Sequence, residues 1–193
     1  MRDFGGFDAS VDPQGAEQGQ HLSADLTVDF LTAVRGGPAT VRLPHHALDI
    51  DIPEGAQDGD VLELRGQGGE PPSQTGVPGD LTINLHVRPH ELLRRNGLDL
   101  YMDLPITFAE AVKGAAVTVP TPRGEYEVNV PSGVHTGTKL RLAGQGVRRQ
   151  GKEGDFFAVV QVYTPDFVDE EIEKAAEKME RGYSEDVRKD LKL

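Results

Sequence analysis

Six histidines are the first residues to test for chemistry: His21, His45, His46, His86, His90 and His135. None stands in the His-Glu-x-x-His spacing that puts two imidazoles and a general base on one helix face. His45-His46 falls in a turn with no carboxylate pair beside it. That context predicts solvated turn residues and no metal site. The chain has no cysteine. A thiolate nucleophile, a disulfide and a Cys-ligated zinc are therefore excluded. No serine occupies a Gly-x-Ser-x-Gly elbow. Asp49, Asp51, Asp58 and Asp60 cluster in sequence. Asp49 and Asp51 alternate along a strand, the usual place for solvated charge, and the spacing is not that of a calcium loop. Gly66-Gln67-Gly68 follows a strand, as a phosphate loop would. It opens no helix and no Lys-Ser/Thr follows it, so the nucleotide reading fails. No catalytic residue, no metal and no cofactor is expected, and the chain does not read as an enzyme.

What remains to be explained is a set of elements with apolar faces. The chain has 193 residues, a net charge of −12, 23 glycines and 13 prolines. An acidic balance argues against nucleic acid as a partner, because phosphate binding needs clustered Lys and Arg. No apolar run is long enough to span a membrane, and residues 1–20 lack the basic start and apolar core of a signal peptide. A cytoplasmic location fits both observations. Frequent turn residues predict short strands rather than long helices.

The organising feature is a stretch that occurs twice. Pro53–Gly68 reads P-x-G-x-x-x-G-x-x-L-x-L-x-G-Q-G, and Pro131–Gly146 repeats it 78 residues later. The register holds back to Val28 and Ile106 without a gap. Phe30, Ala33, Val34 and Gly36 fall on Phe108, Ala111, Val112 and Gly114, and Thr40, Val41 and Pro44 on Thr118, Val119 and Pro122. A repeat this long is a small folded unit and not one solenoid turn, whose period is about 20–50 residues.

The chain therefore divides into a Gly/Phe-type linker over 1–21, β domains over 22–90 and 91–165, and a helical segment over 166–193. The linker opens Asp3-Phe4-Gly5-Gly6-Phe7-Asp8 and lacks periodicity. Leu22–Val28 alternates as a half-buried strand. Asp29 can cap a short helix, Phe30–Arg35, that stops at Gly36-Gly37, and Thr107 with Glu110 forms a capping box in the second copy. Ala39–Leu43, Leu48–Ile52, Val61–Leu64 and Leu81–Val87 read as strands. In the second copy, Phe157, Val159 and Gln161 are expected to face the core where Leu81, Ile83 and Leu85 do in the first. Arg88–Gly97 reads as a packed link carrying Leu92 and Leu93. After Pro165, Phe167, Ile172, Ala175, Ala176 and Met179 recur at helical spacing behind acidic Asp169-Glu170-Glu171, and Gly182 stops the run.

The doubled V-P-x-G-x-x-x-G-x-x-L-x-L-x-G-Q-G, the F-x-x-A-V-x-G helix, the Gly79-Asp80-Leu81 strand start and the final helix resemble the C-terminal region of DnaJ-type co-chaperones. The likeness runs from about Leu22 to the end, and Phe4-Gly5-Gly6-Phe7 is similar to the tail of that family's Gly/Phe linker. The family's J domain, with its His-Pro-Asp tripeptide, has no counterpart in these residues, and neither has its zinc-binding insert of four C-x-x-C pairs. The resemblance is thus to the zinc-free subclass. It implies a mainly β chain: two tandem β-sandwich-like domains, each with a short helix, and a C-terminal helix that pairs two protomers. It also implies a shallow apolar groove on the first domain for extended client segments. Carried over by position, that groove involves Ala24, Leu26, Val41, Leu43 and Ile83. Some relatives dock the acidic tail of a DnaK-type partner there through lysines. Here the matching stretch is Pro38-Ala39-Thr40, with only Arg42 basic, which departs from that pattern. Without His-Pro-Asp, these residues alone are expected not to accelerate the partner's ATPase.

The implied function is binding of unfolded polypeptide without ATP, in protein folding and the stress response, with delivery to a DnaK-type chaperone. The rival reading is a dimeric assembly scaffold for one folded partner. A homodimer interface is expected along Phe167, Ile172, Ala176, Met179 and Tyr183, because the helix has no sheet of its own to cover. The alternative is that it docks on the second domain of its own chain.

Overall fold

The computed structural model describes residues 19–43, 47–72, 76–189 and 191. Residues 1–18 of the expected 1–21 tether and the His45-His46 turn lie outside the described residues. The chain is mainly β. In order it forms β1 (Leu22–Val28), α1 (Phe30–Arg35), β2 (Gly37–Arg42), β3 (Ala47–Ile52), β4 (Val61–Leu64), β5 (Leu81–Val87) and β6 (Leu93–Asn96). There follow β7 (Asp99–Thr107), α2 (Phe108–Lys113), β8 (Ala115–Thr121), β9 (Gly124–Val130) and β10 (Lys139–Leu142). The last elements are β11 (Arg148–Arg149), β12 (Lys152–Glu153), β13 (Phe156–Tyr163) and α3 (Glu170–Glu180). Two compact units emerge: residues up to Tyr101 together with Leu142–Phe156, and Met102–Arg141 together with Phe157 onward.

Alternation of apolar and polar residues builds the first unit. A three-stranded sheet, ordered β1-β5-β4, faces the β2-β3 hairpin. β1 and β5 run parallel, Leu22 opposite Leu81 and Val28 opposite Val87, while β4 joins β5 antiparallel. The inward faces of β1, β2, β3 and β5 supply the core: Leu26, Val28, Val41, Ile50, Ile52, Leu81, Ile83 and Leu85 are buried, with Leu62 and Leu64 of β4 partly buried against them. The second copy repeats the hairpin as β8-β9 and contributes to a sheet ordered β10-β13-β7-β6.

The Gly-Gln-Gly motif has a structural job. Gly66 has φ +69°, a left-handed conformation that favours glycine. Gly68 serves a different need: a Cβ there would lie 2.6 Å from the carbonyl oxygen of Asp80. Its N–H donates to the Gly79 carbonyl at 2.8 Å, and the Gly69 N–H donates to the Gln20 carbonyl at 2.7 Å. Asp80 Oδ1 accepts from the Gly66 N–H at 2.9 Å. The second copy rebuilds this crossing: Gly146 N–H donates to Gly154 at 3.0 Å, Val147 N–H to Leu98 at 2.8 Å, and Asp155 Oδ1 accepts from Gly144 at 2.9 Å. Gly19 and Gln20, expected at the end of a tether, belong to the first unit because the crossing needs their backbone: Gly19 N–H donates to Val77 at 2.8 Å.

Two expectations are corrected. In β13 the core face is Phe156, Ala158 and Val160, all fully buried, and Phe157, Val159 and Gln161 are half-buried. Aligning Gly154-Asp155 on Gly79-Asp80 puts Phe156, not Phe157, in the place of Leu81. The link also contains strand β6, where Leu93 is buried and Leu92 is exposed.

Both short helices are fixed by caps. Thr107 and Glu110 form the reciprocal box at α2. The Asp29 carboxylate accepts from the Thr32 hydroxyl at 2.7 Å and the Thr32 N–H at 2.9 Å. Those bonds, the hydroxyl first, hold the Asp29 carboxyl below its ordinary range. A depressed folded-state value makes this contribution fully present above the unfolded value of about 3.9 and lost as pH falls through the folded one. Asp29→Ala should therefore cost about 0.5–2 kcal/mol at neutral pH. Urea unfolding across a pH series should show the gap between parent and variant closing as the medium becomes more acidic than that window.

Candidate functional site

Burial in the first unit is uneven. Val28, Ala33, Ile52, Leu81 and Leu85 are buried. Around them other apolar side chains are only partly covered, and two groups of these stand out. Leu22, Ala24, Ala39 and Leu43 lie on the side where β1 and β2 meet. Leu48, Leu62 and Leu64 lie on the β3–β4 side, where they line a slot of about 360 Å³ with Asp49, Asp51 and Glu63.

The five groove residues expected from sequence do not share one accessible surface. Ala24 and Leu43 are half-buried at the β1–β2 mouth. Leu26 and Val41 are 8% and 2% exposed, and Ile83 is fully buried, so these three form the core beneath the mouth. Leu22 and Ala39 join the mouth and were missed, although both share the alternation of Ala24 and Leu43.

The second copy closes most of the same place, although Val117, the match of Ala39, stays half-buried. The positions 78 residues after Leu22, Ala24 and Leu43 are Leu100, Met102 and Thr121, which are 0%, 6% and 8% exposed. The β3–β4 side behaves differently. Tyr126, Leu140 and Leu142, the partners of Leu48, Leu62 and Leu64, are half-buried, as in the first copy.

Behind the mouth the repeated P-x-G loop is clamped by two arginines. Arg95 donates to the carbonyls of Ala56 at 2.7 Å and Gly55 at 3.0 Å. Arg149, on the β11–β12 hairpin, pairs with Asp60 at 3.0 Å. Burial, then the nearby Arg149 charge, lowers the Arg95 pKa, and Asp60 opposes them. The guanidinium remains charged. Two of the histidines serve structure: His90 Nδ1 accepts from the N–H groups of Leu92 at 3.1 Å and Leu93 at 3.2 Å, its ring 5.7 Å from that of Phe30. His21 Nδ1 accepts from the Asp80 N–H at 3.1 Å. Among the described residues no His, Asp and Glu cluster has the makings of a metal site.

α3 starts at Asp169, whose carboxylate accepts from the Ile172 N–H at 2.8 Å, and it carries no buried residue. Ile172 is half-buried and Ala176 exposed, while Phe167 and Tyr183 are 71% and 58% exposed. Met179 and Tyr183 border a cavity of about 780 Å³ whose other walls include Phe108, Val112 and Val162 of the second unit. Met179 and Tyr183 thus share a cavity with residues of their own unit. No helix among the described residues is long and apolar enough to cross a membrane.

The profile of the DnaJ C terminal domain matches residues 22–165. The chain belongs to the DnaJ C-terminal domain family. Proteins named Chaperone protein DnaJ are its relatives. That of a Geobacillus species, strain WCH70, is 45% identical over 120 residues, 61% of this chain and 31% of the relative. The Geobacillus kaustophilus protein is 40% identical over 136 residues, covering 69% and 35%. The Haloarcula marismortui protein is 41% identical over 145 residues, covering 73% and 37%. The chain thus spans about a third of the length of these relatives.

Because Val41 is core and Leu43 is not, acidic substitutions at the two sites should part company. Val41→Asp buries an unpaired carboxylate and should cost about 3–5 kcal/mol. A large drop in the urea midpoint of the first unit checks it, and an unchanged midpoint would show that Val41 faces water.

Proposed function

We propose that the first unit holds extended, apolar segments of unfolded polypeptide at the β1–β2 mouth, without ATP, as the client-binding half of a chaperone that serves a DnaK-type partner. The observation that carries this reading is the contrast between the copies: Leu22, Ala24 and Leu43 are left half-covered where Leu100, Met102 and Thr121 are buried. β2 belongs to a two-stranded sheet, so its outer edge pairs with no described strand. An added strand would gain backbone hydrogen bonds from such an edge and place alternate side chains in the mouth. A small mouth and a client that orders on binding give weak affinity, about micromolar. Two mouths in one dimer would raise it by avidity. The stripe of exposed Phe167 and Ala176 and half-buried Ile172 is the surface through which two copies would pair about a twofold axis.

Leu43→Asp puts a charge where solvent can reach it. The variant should suppress aggregation of a denatured client less well while keeping the parent's unfolding midpoint. Equal protection would place client binding elsewhere, and a scaffold would protect no client at all. Removal of residues 166–193 should convert a dimer into a monomer of unchanged β content, read by light scattering and circular dichroism. An intact chain that is monomeric at tens of micromolar would show α3 to be bound only to its own unit.

A further inference from the structure

The β3–β4 slot differs from the mouth in charge and in place. Its floor is Leu48, Ile50, Leu62 and Leu64, and its rim carries Asp49, Asp51 and Glu63. No lysine or arginine lines it among the described residues. β4 is the outer strand of its sheet, and β3 is one of only two strands in the other, so two strand edges flank the slot. The inward residues of both strands alternate with the acids, so an extended chain lying there would meet leucines and carboxylates in alternation. The second copy keeps the apolar floor but not the charge. The positions matching Asp49, Asp51 and Glu63 are Glu127, Asn129 and Arg141. The all-acidic rim is a property of the first copy alone.

We propose that this slot is a second peptide-binding surface, separate from the mouth, and that it selects extended polypeptide segments in which aliphatic side chains alternate with lysine or arginine. The aliphatic groups seat on Leu62 and Leu64 while the cations meet Asp49, Asp51 and Glu63. Edge pairing supplies affinity that is independent of sequence, and the acidic rim supplies the choice of charge. The Leu22, Ala24 and Leu43 mouth takes no part in it, so the proposal stands apart from the function assigned to that mouth.

The probe is a fluorescein-labelled peptide alternating valine with lysine, compared with its valine–glutamate counterpart by anisotropy at low salt. The intact chain should bind the lysine peptide at least about tenfold more tightly, with the difference falling as salt rises. Asp51→Asn with Glu63→Gln should remove most of that preference. Glu171→Gln with Glu173→Gln in α3 reduces the net negative charge equally and should leave it intact, which separates a local rim from the overall acidity of the chain. Leu43→Asp should also leave it intact. Equal binding of the two peptides would overturn the proposal. So would an equal effect of the two charge-neutralised pairs, or loss of binding in Leu43→Asp.

Discussion

The first unit depends on one place where three stretches of backbone meet with no side chain between them. Gly68 lies against Gly79 and Asp80 on one side and Gln20 on the other, and hydrogen bonds tie the three together. This crossing sets where β1, β4 and β5 begin and end, and hence which residues of each strand point inward. A Cβ at Gly68 or Gly79 would push into neighbouring backbone, which has no rotamer in which to yield. The same construction around Gly146, Gly154 and Leu98 explains why the motif recurs in register. Asp80 and Asp155 complete it by accepting from the turn in each copy. The glycines that resemble a phosphate loop are used to bring backbone to backbone.

Much of this fold is legible in the sequence because its signals are local. The Asp29 and Thr107 caps, the stops at Gly36 and Gly114, and the alternation of β1, β3 and β5 are all decided within a few residues. Where the local signal is ambiguous the reading slips. The run from Phe156 to Val160 is apolar on both faces, so alternation does not say which face is inward, and only the Gly-Asp anchor does. β6 reads Leu-Arg-Arg-Asn, too polar to announce a strand, and it forms because β7 offers it a neighbour. The β11–β12 hairpin is only two residues long on each side.

At the proposed site the strand faces were legible in direction but not in depth. Ala24, Leu26, Val41, Leu43 and Ile83 all face inward, since strand periodicity fixes the face. How far each lies below the surface depends on how two sheets approach one another, which no single strand encodes. Leu26 and Ala24 are two residues apart on one strand, yet one belongs to the core and the other to its edge. The difference between the two copies is likewise invisible to the motif that relates them. It falls outside the motif, at positions where Ala24 is matched by Met102 and Leu43 by Thr121.

The parallel pairing of β1 with β5 also governs the order of events during synthesis. A hairpin such as β2–β3 can close as soon as its second strand appears, but Leu22 must wait for Leu81, 59 residues later. At a translation speed of about 5–20 residues per second, that delay is on the order of 3–12 s. Throughout it the nascent chain carries a strand with Leu22, Leu26 and Val28 on one face and no neighbour yet in its own sheet. Non-local pairings of this kind also close slowly. The first unit would itself spend several seconds as an unfinished chain.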